Sequence, residues 1–359
     1  MNYKKIIWWS IIVAFGGFVF GFDTAVISGA EQEIQNLWNL SDTMIGQTVA
    51  MALYGTVIGA LLGGFPSEVL GRKRTLVFVA ILFLISAVGS AFSPEVYSLM
   101  FFRFIGGLAV GASSVVAPMY ISEISPTNKR GQLTALFQFN IVVGILISYL
   151  SNYFIGGASD GNWRIMLGIE IIPAALFLIL IFFVPRSPRW LILKKGLIDE
   201  AREVLQEIDP SQVENNIASI QYNQDNNESK GGLKEFFSGK FNIPISLAFL
   251  IAFFNQLSGI NAVIYYSPRI FAETGMGESA SLLSSVGVGF INLIATLLGI
   301  FLIDRMGRKF LMYICSFGYI ITLGLISLTF YTGFGEGTLL IPFLVFGFIA
   351  SHAVGQGAV

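Results

Sequence analysis

Three ionisable residues, Asp23, Arg103 and Glu170, stand inside stretches of chain that are otherwise almost wholly apolar. A charged side chain at the centre of a bilayer costs roughly 2.5–3.5 kcal/mol on an insertion scale, so each of these groups needs a partner or an aqueous cavity. Arginine stays charged, whereas a carboxyl takes up and releases a proton. A carboxylate facing an arginine is therefore a contact that protonation breaks, freeing the helices that carry it. The plainer alternative is a static ion pair holding two helices together. Glu170 reads either as a second acid of the same set or as an acceptor tying its segment to neighbouring helix ends.

A second set is uncharged. Gln138, Gln256, Asn261 and Asn292 are amides on apolar stretches, where an unpaired polar group is penalised. Each amide both donates and accepts, which matches the hydroxyls of a polyol. Hydrogen bonding between helices, worth about 0.6–2 kcal/mol per group, is the alternative. Asn255 neighbours Gln256 and reaches less far. Phe20 and Tyr266 offer apolar faces for the C–H side of a sugar ring, although either alone is compatible with packing.

These side chains need apolar elements to position them, and the composition supplies them. Hydrophobic residues make up 54% of the chain and charged residues 12%, with mean hydropathy +0.73, too apolar for a soluble core of this size. The 33 Phe and 39 Gly fit lipid-facing aromatic surfaces and close helix approach. Cys315 and His352 are each the only residue of their type, which leaves no disulfide, no metal cluster and little catalytic equipment. A membrane enzyme is accordingly the weakest reading. His352 is read as packed or pore-lining rather than as a proton relay.

A bilayer core takes about 20 helical residues. Apolar stretches of that length occur at 6–29, 44–66, 75–93, 97–121, 132–155, 165–184, 243–267, 281–303, 310–331 and 339–359. The first is too long for a signal peptide and lacks a small-residue cleavage site, so it remains as a span. With the N-terminus in the cytoplasm, short inner loops hold Lys4, Lys5, Arg72, Lys73, Arg74, Lys129, Arg130, Arg305, Arg308 and Lys309, against Arg164 and Arg269 outside. That asymmetry obeys the positive-inside rule. Segment 185–242 reads as a cytoplasmic helical linker domain between a six-helix bundle at 1–184 and a second, incomplete bundle at 243–359. Within it, Leu197 to Ile208 has helical spacing, and the Asn-, Gln- and Ser-rich stretch from Gln212 to Gly232 reads as a mobile linker. The sequon at Asn227 falls on the inner side and is taken as chance. Gly55, Gly59 and Gly63 predict a close helix contact.

Glu68-Val-Leu-Gly-Arg-Lys-Arg-Thr-Leu recurs as Asp304-Arg-Met-Gly-Arg-Lys-Phe-Leu, each joining the second and third spans of its half. Repeated halves predict a substrate site between them near the midplane. A second half matching the first needs two more spans, so a C-terminal truncation is expected.

The ordered strings Gly21-Phe-Asp-Thr-Ala-Val-Ile-Ser-Gly, Gly71-Arg-Lys-Arg, Arg103-Phe-Ile-Gly-Gly and Pro118-Met-Tyr-Ile-Ser-Glu-Ile-Ser-Pro continue with Arg130-Gly, Ser187-Pro-Arg-Trp, Gln256-Leu-Ser-Gly-Ile-Asn-Ala-Val-Ile-Tyr-Tyr-Ser-Pro and Asp304-Arg-Met-Gly-Arg-Lys. Together they resemble the sugar porter family of the major facilitator superfamily, particularly its bacterial proton-coupled pentose and hexose symporters. The resemblance implies an all-α integral membrane protein of two pseudo-symmetric bundles that moves a monosaccharide by alternating access. It implies Asp23 as proton acceptor with Arg103 as partner, a sugar site that extends to Gly357, and salt bridges among Glu68, Arg72, Arg74, Glu123, Arg130, Asp304, Arg305 and Arg308 that latch the outward-facing state. Expected partners are a monosaccharide, protons and the lipid bilayer of the cell membrane, with no nucleic acid, no cofactor and no second subunit. A facilitator without proton coupling and a non-transporting sensor remain open. The chain departs from the family pattern at Arg186, where a glutamate is usual, at Asn255, where glutamine is usual, and at Ile145, which replaces a glutamine.

Overall fold

No water reaches a backbone N–H or C=O in lipid, so a crossing segment satisfies these groups within itself and becomes a helix. The computed structural model follows that rule and describes residues 2–156, 162–227, 238–239, 241–333 and 339–355. Among these described residues there is no strand, and nine helical segments are long and apolar enough to cross a membrane. Spans one to five are Tyr3–Leu37, Asp42–Val69, Arg72–Ala91, Val96–Ile124 and Arg130–Gly156. Span six is Trp163–Phe183, span seven Asn242–Ala272, span eight Glu278–Met306 and span nine Arg308–Thr332, with the shorter apolar helix Leu340–Gly355 following. Consecutive spans joined by short turns run antiparallel. The face on which span one starts is called the N face here.

Two boundaries differ from the hydropathy reading. Span one continues past Gly29 to Leu37. Ala30 and Ile34 stay buried on that extension, and the carboxylate of Glu31 is paired, so polar residues do not end the helix. The stretch expected to be a mobile linker instead forms a helix over Val213–Asn227. Its apolar residues Val213, Ile217 and Ile220 recur at helical spacing and pack against Trp190, Leu191 and Leu205. The sequon at 227–229 runs out of the described residues.

Small residues set the closest contacts. Spans two and four meet along Gly55, Gly59 and Gly63, as their spacing predicts. A Cβ on Gly55 would lie 2.2 Å from the Phe104 carbonyl oxygen, and one on Gly59 2.3 Å from that of Leu108. Span four answers with Gly107 and Gly111, whose added Cβ atoms would come within 2.0 Å and 2.1 Å of the Ala52 and Thr56 carbonyl oxygens. Away from this seam span two faces outward, with Leu61 and Phe65 78% and 75% exposed, side chains whose solvent is lipid.

Two apolar clusters show where the halves join. One, including Ile6, Phe83, Tyr120 and Phe177, draws its transmembrane residues from span one and spans three to six. The other, toward the face opposite the N face, mixes Ile27, Tyr149 and Trp163 with Ile264, Phe271 and Val288 from spans seven and eight. Contact between the halves is thus concentrated away from the N face.

Candidate functional site

Helix irregularities position the polar groups. Span six is interrupted between Trp163–Gly168 and Ile171–Leu180, and Glu170 occupies the join. Span seven breaks at Ser258 and Gly259, where Gly259 takes the left-handed conformation at φ +80°, open to glycine at no steric cost. Gln256 and Asn261 flank this break, and the Asn261 Nδ2 donates to Gln256 Oε1 at 2.7 Å. A second irregularity follows at Tyr266, whose backbone leaves the helical region two residues before Pro268. Broken spans are where transporters place binding groups.

The structure brings the three ionisable residues together. Arg103 Nη1 donates to Asp23 Oδ1 at 2.8 Å and to the Asp23 backbone carbonyl at 3.2 Å. Both side chains are buried, at 1% and 3% exposure. Glu170 is buried too and lies beside this pair, close enough for its carboxyl to interact with both partners. Spans one, four and six converge on a group of two carboxyls and one guanidinium in a place sealed from bulk water. Arg103 Nε and Nη2 and Glu170 Oε1 make no protein hydrogen bond, so the group has spare bonding capacity for a second arrangement.

The amides are distributed more widely. Gln256 is exposed, Asn255, Asn261 and Gln138 are half-buried, and Asn292 on span eight is buried. Phe20 packs at the edge of the first-half cluster and Tyr266 at the edge of the shared one. Span one touches span five where Gly21 abuts the Ile141 backbone, one turn from Gln138. Spans one, five, seven and eight thus carry the amide and aromatic candidates around the interface of the halves. Gly357 lies outside the described residues. His352 is half-buried and meets the Tyr319 hydroxyl at 2.6 Å.

At the N face the charged groups form a network within the first half and the helices that follow it. Arg72 pairs with Glu123 through Nη2 at 2.8 Å and Nε at 3.1 Å. Ser187 Oγ donates to the other Glu123 oxygen at 2.5 Å, and Trp190 Nε1 donates to the Glu68 carbonyl at 2.8 Å. The Glu68 carboxylate pairs with Lys194 at 3.1 Å. Arg186, where an acid is usual, pairs with Glu200 at 3.3 Å. Arg74, Arg130 and Arg308 are exposed, and Arg305 lies 4.2 Å over the Phe301 ring. The Asp304 side chain lies outside the described set. Among the described residues, none of these ion pairs crosses between halves.

One pair does cross, and the sequence reading did not anticipate it. Arg269 Nε and Nη2 donate to Glu31 Oε1 and Oε2 at 2.8 Å and 2.7 Å, and Nη2 also meets Gln35 Oε1. The end of its apolar run places Arg269 outside, whereas the structure keeps it on the helix Ile260–Ala272. The signal that could have located it is the helical phase of Glu31 and Gln35, one turn apart beyond Gly29.

Comparison with known proteins decides the family. A family model described as sugar (and other) transporter matches residues 9–359. The chain belongs to the sugar porter family of the major facilitator superfamily. Sugar porters are membrane transporters, not enzymes. The chain is 40% identical over 319 residues to a D-xylose transporter of Levilactobacillus brevis, covering 88% of this chain and 69% of that protein. It is 35% identical over 384 residues to the D-xylose-proton symporter of Escherichia coli (strain K12), covering 98% and 77%. Among solved structures, the partially occluded inward-open xylose transporter XylE from E. coli matches with a TM-score of 0.87 and 33% identity, covering 98% of this chain and 85% of that one. This sugar porter is thus a multi-pass protein of the plasma membrane with the major facilitator fold.

Proposed function

We propose that this sugar porter is a proton–monosaccharide symporter, with pentoses as the substrate class, and that its N face is cytoplasmic. The observation that carries the reading is the buried Arg103–Asp23 contact with Glu170 beside it. A transporter that only equilibrates sugar gains nothing from three ionisable groups in a dry interior, each costly to place there. A symporter uses them: protonation neutralises the carboxylate, weakens its hold on Arg103 and lets spans one and four move apart. The names of the relatives, a D-xylose-proton symporter and an arabinose-proton symporter of Bacillus subtilis 36% identical over 357 residues, support proton coupling and a pentose. The charge asymmetry of the short loops supports the orientation.

In this reading Gln138, Gln256, Asn261 and Asn292 bind the sugar hydroxyls, Asn255 contributes at shorter reach, and Phe20 and Tyr266 cover the ring. Glu68, Arg72, Glu123 and Arg130, with Arg74, Asp304, Arg305 and Arg308, engage across the halves when the cytoplasmic side closes.

The test is uptake of labelled xylose and arabinose into proteoliposomes with and without an inward proton gradient. Accumulation above equilibrium only with the gradient is expected. Gradient-independent uptake that stops at equilibrium makes the protein a facilitator, and binding without uptake makes it a sensor. Gln256→Ala and Asn261→Ala should each weaken sugar binding by about 1–3 kcal/mol, the cost of stranding a hydrogen-bonding partner. Sugar-binding titrations check this, and unchanged affinity in both variants returns the amides to helix packing.

A further inference from the structure

We propose that Glu31 and Arg269 are the charge latch that closes the extracellular mouth of the transporter, an inference that rests on the alternating-access reading above. The pair joins span one of the first half to span seven of the second. Its geometry is the two-pronged fork of a guanidinium on a carboxylate, which specifies orientation as well as attraction. Glu31 is fully buried, while the Arg269 side chain keeps 28% exposure. Gln35 also binds the guanidinium, one turn further out on span one. The carboxylate thus depends on a partner that water already reaches from one side.

The surroundings match a contact that opens and closes. Arg269 follows Pro268, and both follow the departure from helix at Tyr266, so the guanidinium rides on a short helical piece bounded by a kink. Beside it lies a cavity of about 570 Å³ between the halves, lined by Ser28, Gln32, Asn36, Pro268, Ala272 and Ser281. Its walls are largely polar and come from spans one, five and six of the first half and spans seven and eight of the second, so it can take a hydrated sugar arriving from outside. On the cytoplasmic side no ion pair links the halves among the described residues. The molecule is therefore latched on one side only, as alternating access requires, and opening the mouth requires Arg269 to leave Glu31.

Cysteine accessibility tests this without any transport readout. Cys315 is the only cysteine, so Cys315→Ser gives a clean background. Thr24→Cys places a thiol at a buried position seven residues inward of Glu31 on the same helix face, below the latch. Gln138→Cys reports the cytoplasmic side. With an impermeant maleimide, Arg269→Ala and Glu31→Gln should raise outside labelling of Thr24→Cys by about tenfold, the scale of one coupled two-state contact. Inside labelling of Gln138→Cys in inverted vesicles should fall. No change at Thr24→Cys in either variant overturns the latch, and so does a rise at both reporters, which marks a loosened fold. Loss of the latch leaves proton symport standing, and absence of gradient-driven uptake leaves a positive labelling result intact.

Discussion

Replacing Asp23 with asparagine is expected to abolish accumulation while leaving sugar binding in place. Each charge moved through 100 mV supplies about 2.3 kcal/mol, which converts to roughly a fifty-fold concentration ratio. Asn keeps the shape of Asp23 and can still accept from Arg103 Nη1, but it cannot exchange a proton. The gradient then has no handle on the protein, and internal sugar should rise only to the external concentration. Sugar-for-sugar exchange, which needs no net proton movement, should persist. Proteoliposomes energised by a pH gradient read both quantities in one preparation. Wild-type accumulation by the variant would remove Asp23 from the coupling role and shift attention to Glu170.

The second large effect is on folding. Arg103→Leu leaves the Asp23 and Glu170 carboxyls buried with no cation, and breaking a buried pair by removing one partner typically costs about 3–5 kcal/mol. The variant should melt at clearly lower temperature in detergent. Adding Asp23→Leu to it should recover much of the loss, because replacing both partners with apolar groups is often close to neutral. The two single variants and the double form a cycle whose interaction free energy measures the pair. Additive effects in that cycle would mean that Arg103 and Asp23 do not act on each other in the folded protein.

Much of this architecture is legible in the sequence because lipid imposes a simple rule: apolar runs of sufficient length become helices. Asp23 and Arg103 could be singled out for the same reason, since a charge in such a run needs an explanation. The extension of span one past Gly29 was not legible from hydropathy, which averages Glu31, Glu33 and Gln35 into a polar turn. It depends on Arg269, 238 residues away, a tertiary contact no local window contains. The helix at Val213–Asn227 was hidden by its polar composition, although Val213, Ile217 and Ile220 carry its packing face. The break at Gly259 was present only as one glycine among 39, and no local signal marks it as the one that takes a left-handed backbone inside a span.

The glycine seam between spans two and four bears on how force travels through the protein. Gly107 and Gly111 nest so tightly against the Ala52 and Thr56 carbonyls that an axial shift of either helix drives backbone into backbone. Sliding is thereby removed as a degree of freedom, and the two helices turn as one stiff beam. Span four carries Arg103 near one end and Glu123 near the other, 20 residues apart, which is about 30 Å along a helix. A small tilt of span four at its Arg103 end is thus levered into a larger displacement of the Glu123–Arg72 pair, so the dry interior and the charge network at the membrane surface are mechanically geared through a strip of hydrogen atoms.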